Sequence, residues 1–83
     1  MARLLFFGKL GDLAGGRMRE QSLPKDVVTI DQLIAVITAD DAALGEALAA
    51  PSVRFIVNEK MADAGGAISD GDEIAFLPPV SGG

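Results

Sequence analysis

Thr29-Ile30-Asp31-Gln32-Leu33-Ile34-Ala35-Val36-Ile37 is the stretch that decides the fold. Thr29 and Gln32 have the S/T-x-x-E/Q spacing in which each side chain satisfies the other residue's backbone N–H at a helix start. Ile30, Leu33, Ile34 and Ile37 then recur at i, i+3, i+4 and i+7, which draws one apolar stripe along a helix. Asp31 sits in the first turn, where the helix dipole favours negative charge. A helix with a single apolar stripe needs a flat apolar partner, and the flanking segments supply strands.

Before it, residues 3–8 form a short apolar run that reads as a strand. Residues 9–16, with Gly8, Gly11, Gly15 and Gly16 around Leu10, Leu13 and Ala14, read as a loop with one helical turn. Residues 17–23 read as a second strand, stopped by Pro24 and pairing with the first as a hairpin. After the helix, residues 40–50 are alanine-rich, with Leu44 and Leu48 four apart, and predict a short second helix ending before Pro51. Residues 53–58 are a β-branched strand, Asn58-Glu59 a turn, and residues 60–62 a short strand. Residues 69–72 (Ser-Asp-Gly-Asp) make a turn into a last strand at residues 73–77, which Pro78-Pro79 ends. The order strand, strand, helix, strand, short strand, strand predicts an α+β domain, a ubiquitin-like β-grasp. Its main helix packs on one face of a mixed sheet, beside a short second helix. Residues 1–80 are expected to form the domain and residues 81–83 a flexible reactive tail.

Alternation fixes the faces. Successive strand side chains point to opposite sides, so Leu4, Phe6, Ile74 and Phe76 should meet the helix stripe. Leu5, Phe7, Ala75 and Leu77 should then point away from it and lie exposed, with Met61 beside them.

Composition removes whole classes of function. There is no Cys and no His among the 83 residues. A thiolate nucleophile, a Ser/His/Asp set and the usual zinc ligands are therefore excluded, and no metal site is expected. Asp70, Asp72 and Glu73 lack the spacing of a calcium loop and read as a solvated turn. The glycines between positions 8 and 16 match neither a Walker loop nor a dinucleotide fingerprint. Net charge is −5 and the seven Lys and Arg are scattered, which argues against nucleic acid and favours a basic protein partner. No apolar run approaches the roughly 18 residues of a membrane span, and the first residues do not form a signal peptide, so a cytoplasmic location is expected. Mean hydropathy of +0.36 is high for a small domain and points to an apolar surface reserved for another protein.

The chain closes on Gly82-Gly83. Two residues without side chains make a thin thread that can enter a narrow channel and present an α-carboxylate. A carboxylate is a poor electrophile, so its chemistry needs activation as an acyl-adenylate by a partner supplying ATP and Mg²⁺. A sulfur nucleophile displacing AMP would leave a thiocarboxylate able to donate sulfur. No cofactor bound by the chain itself is needed.

Leu4-Leu5-Phe6-Phe7, Val57-Asn58 and the closing block from Asp70 to Gly83, above all Pro78-Pro79-Val80-Ser81-Gly82-Gly83, resemble the sulfur-carrier small subunits of molybdopterin synthase. The resemblance implies that Gly83 is adenylated by an E1-like adenylyltransferase and becomes a thiocarboxylate with sulfur from a donor protein. It further implies sulfur transfer to cyclic pyranopterin monophosphate in a large subunit, within a heterotetramer of two small and two large subunits. The small subunit is then the non-catalytic sulfur donor of the complex. Partner contacts are implied at Phe7, Met61 and Leu77 on the apolar sheet face and at Pro78, Pro79, Val80 and Ser81 along the tail, with Gly82 permitting its passage. The alternatives are a thiamine-pathway sulfur carrier, whose chains are usually shorter and lack Pro-Pro before the tail, and a ubiquitin-like modifier or interaction domain.

Overall fold

The computed structural model describes residues 1–79. The elements are β1 (Ala2–Phe6), α1 (Lys9–Ala14), β2 (Met18–Gln21), α2 (Ile30–Asp40), α3 (Ala42–Leu48), β3 (Arg54–Val57), β4 (Lys60–Ala62) and β5 (Glu73–Leu77). The strands form one mixed sheet in the order β2-β1-β5-β3-β4. β1 and β5 pair in parallel at its centre, and the other neighbours are antiparallel. This is the ubiquitin-like β-grasp.

The α2 start is built as its sequence dictates. The Thr29 hydroxyl accepts from the Gln32 N–H at 3.3 Å, and the Gln32 side-chain oxygen accepts from the Thr29 N–H at 3.1 Å. Two further first-turn amides donate to the loop before β5, Ile30 N to the Gly66 carbonyl at 3.1 Å and Asp31 N to the Ala64 carbonyl at 2.8 Å. That loop therefore clamps α2 in place, and Ile68 beyond it is buried. Asp41 ends α2 and caps α3 with its carboxylate, which accepts from Leu44 N at 3.1 Å.

The stripe Ile30, Leu33, Ile34 and Ile37 is buried against the sheet, together with Leu4, Phe6, Ile74 and Phe76. Phe76 is the hub of this core. Its ring stacks on Phe6 at 5.4 Å and lies perpendicular to Phe55 at 5.8 Å.

Two expectations change. The helical turn expected within residues 9–16 is a six-residue helix, because Leu10 inserts into the core and Arg19 ties down its last turn. Arg19 lies over the Phe6 ring at 5.5 Å and donates to the Ala14 carbonyl at 3.2 Å, satisfying a C-terminal carbonyl of α1. Of the four outer-face residues expected to be exposed only Phe7 is: Leu5 and Leu77 are half-buried, and Ala75 points away from the helices but is buried. It pairs with Leu5 on one side and Ile56 on the other, so two larger side chains flank its single methyl group.

Candidate functional site

The strand registers generate the outer sheet face residue by residue. Met18 pairs with Leu5, Leu5 with Ala75, Ala75 with Ile56, and Ile56 with Met61. Directly paired residues share a face, so one apolar row crosses all five strands. Phe7 and Leu77 extend it toward the end where the tail leaves. The Phe7 N–H donates to the Phe76 carbonyl at 3.1 Å, which holds the end of β1 against β5 there. On the opposite border Arg3 pairs in register with Glu20 and Glu73, and its guanidinium stands 3.7 Å from the Glu73 carboxylate. The apolar row thus has a polar lower edge.

Exposure grades the residues singled out from sequence. Phe7 is 47% exposed and Met61 64%, whereas Leu77 is half-buried. Pro78 is half-buried and Pro79 exposed. Val80, Ser81, Gly82 and Gly83 lie outside the described residues. Met18, 55% exposed, was missed in the sequence reading. Its signal was available, since pairing β2 against β1 in hairpin register puts it opposite Leu5. The segment with α1 does not cover this face, because Leu10 turns it toward the helices.

Arg54, paired with Leu77, puts one cation on the outer face at the tail end of the row. Residues 26–53 hold Asp26, Asp31, Asp40, Asp41 and Glu46 without one Lys or Arg, and the remaining seven acids balance the seven bases. The net charge of −5 therefore belongs to the segment that carries α2 and α3, behind the sheet. Asp70 and Asp72 are structural acceptors. Asp72 accepts from Asn58 Nδ2 at 3.0 Å and from Ser69 N at 2.8 Å, and these bonds hold its carboxyl below its ordinary pKa. The Leu23 N–H and the Met1 ammonium do the same for Asp70.

The family model described as the ThiS family matches residues 4–83. The chain belongs to the ThiS family. The molybdopterin synthase sulfur carrier subunit of Escherichia coli (strain K12) is 31% identical over 83 residues, covering 100% of both chains. SAMP1 from Haloferax volcanii superposes with a TM-score of 0.80 at 26% identity, over 99% of this chain and 98% of that one. The fold is also that of the Helicobacter pylori complex of subunits 1 and 2 of molybdopterin-converting factor, with a TM-score of 0.63, 22% identity, and 99% and 97% coverage. Among the described residues no helix is long and apolar enough to cross a membrane.

Proposed function

We propose that this ThiS-family chain is the sulfur carrier of molybdopterin synthesis, acting through the carboxylate of Gly83. The observation that carries this reading is the match to the Escherichia coli sulfur carrier subunit over the whole of both chains, which aligns the Gly-Gly end with that protein's own end. The carboxylate attacks ATP on an E1-like adenylyltransferase, forming the acyl-adenylate and releasing pyrophosphate. Sulfide-level sulfur delivered by a donor protein then attacks the acyl carbon; the acyl–oxygen bond to AMP breaks as the acyl–sulfur bond forms, leaving the thiocarboxylate. In the large subunit this sulfur attacks cyclic pyranopterin monophosphate, and hydrolysis returns the carboxylate. Two sulfurs complete a dithiolene, which suits an assembly of two small and two large subunits. The chain's own contribution is positional: a thin tail whose root, Pro78-Pro79, leaves beside Phe7, Leu77 and the apolar row. The Helicobacter pylori complex of subunits 1 and 2 supports a large-subunit partner.

Reconstitution with a molybdopterin synthase large subunit tests this reading. Thiocarboxylated carrier should convert the pterin, Gly82→Val should impair activation and transfer, and deletion of Gly83 should abolish both while leaving the fold intact. Normal transfer by the deletion variant would overturn the proposal. The similarity to SAMP1 favours a second reading, in which Gly83 is joined to lysines of target proteins. Intact mass from cells separates the two, because a carrier gains only the difference between sulfur and oxygen, whereas a modifier appears in larger conjugates.

A further inference from the structure

The outer apolar row has the same pattern read from either edge of the sheet. From β2 to β4 it runs Met18, Leu5, Ala75, Ile56, Met61, with the smallest side chain on the central strand and a methionine at each border. The two methionines are 55% and 64% exposed, so the row stands open at both ends. One level nearer the tail end, Leu77 lies between Phe7 on β1 and Arg54 on β3. The charged residues on outward strand positions are Arg3, Arg54, Glu20 and Glu73, and they cancel. A face that is apolar, neutral and symmetric in side-chain size suits a contact with itself.

We propose that a second copy of this chain covers the outer face of the free protein, packed face to face about a two-fold axis parallel to β5. A two-fold contact uses one patch on both copies, so that patch must complement itself. This axis lays β1 on the partner's β3 and β2 on the partner's β4, at the same level along the strands. Met18 then faces the partner's Met61, Leu5 faces the partner's Ile56, and Ala75 meets its own counterpart, where two small methyl groups let the sheets close. One level on, Leu77 meets Leu77, and the Phe7 ring receives the partner's Arg54 as a cation over an aromatic face. Glu73 meets Glu73, each with the Arg3 guanidinium 3.7 Å away. An axis across the strands would instead seat Leu77 on the partner's Glu73. The net charge of −5 does not oppose the contact, because it lies behind the sheet. Aligned sheets pack about 10 Å apart and each helix layer stands about 10 Å further out, well beyond the screening length of about 8 Å. Five strands by five residues give a footprint of about 24 × 17 Å, roughly 800 Å² over both copies, which is below the 1,200 Å² or so of a stable interface. The dimer is therefore weak and reversible, and a tighter partner for Phe7 and Met61 displaces it.

The dimer does not depend on the proposed function, and its test involves no sulfur transfer. Sedimentation equilibrium of the full chain between about 10 μM and 1 mM should show the average mass rising from 8.5 kDa toward twice that value. Over the same range the amide signals of Leu5, Phe7, Met18, Arg54, Ile56 and Met61 should shift, while those of Asp31 and Ala35 on α2 stay in place. Met18→Lys and Met61→Glu change exposed side chains, so thermal melts should match the parent, yet each alone should weaken association about tenfold or more. An equal mixture of the two variants should recover it. In the mixed pair Lys at position 18 faces Glu at position 61, and the other Met61 faces an unaltered Met18. A mass constant at 8.5 kDa up to the highest concentration would overturn the proposal. Association untouched by either single variant would place the contact on another face and overturn it too. No recovery in the mixture would refute the pairing of Met18 with the partner's Met61, and with it the axis parallel to β5.

Discussion

Phe6 and Phe76 stack with ring centroids 5.4 Å apart and planes 10° from parallel, as register partners on the central strands β1 and β5. Because strand side chains alternate, their successors Phe7 and Leu77 are delivered to the opposite side of the sheet. One pairing thus anchors the core and sets the position of the outer residues next to the tail. The two members of each dipeptide should therefore respond differently to mutation.

Phe76→Ala is expected to cost about 3–5 kcal/mol and Leu33→Ala about 2–5 kcal/mol, the range for truncating buried side chains. Chemical denaturation of each variant measures this. An unchanged midpoint for Leu33→Ala would show that the α2 stripe does not face the core.

Phe7→Ala should leave the melting temperature nearly unchanged, because half of that side chain is exposed. It should weaken binding of a molybdopterin synthase large subunit by roughly 2 kcal/mol or more, as for a large residue buried at an interface. Titration calorimetry with the folded variant decides this. Equal affinity would remove the outer row from the interface and leave the role of Gly83 untouched.

Gly45 of α3 lies so close to α2 that a Cβ there would stand 2.6 Å from the Thr38 Cα. Gly45→Ala gains helix propensity but drives a methyl into backbone, and overpacking of this kind costs about 1–3 kcal/mol. Adding Thr38→Ala should not restore stability, since the obstructing Cα remains. Thermal melts of the single and double variants provide the check.

Asp72 should contribute to acid sensitivity. Its hydrogen bonds from Asn58 and Ser69 favour the ionised form, so its folded pKa lies below the unfolded one. The stabilisation is present above the unfolded value, about 4, and is lost as pH falls through the folded pKa. Asp72→Ala should lower stability at pH 7 by about 1 kcal/mol and make it less dependent on pH in the acid range. Urea midpoints at neutral and acid pH would reveal a wild-type slope if the variant kept one.

Local chemistry made the main helix readable in advance. Thr29 and Gln32 satisfy each other's amides within one turn, and the stripe from Ile30 to Ile37 repeats within two turns. The parity of β1 and β5 was equally legible, since it needs only alternation along each strand. α1 was legible only as a single turn, because isolated it is a short, glycine-containing segment; it forms when Leu10 finds the core and Arg19 its last turn.

The residues by themselves therefore determined the helix, the strand faces and the resemblance of the closing block, each written in neighbours a few positions apart. Only the tertiary structure decided that β5 lies between β1 and β3, that Ala75 is covered by Leu5 and Ile56, and that Met18 completes a row ending at Met61. Those relationships join residues up to seventy positions apart. Which strands become neighbours depends on where α2 and the long connections let them meet, and no local pattern in the chain encodes that choice.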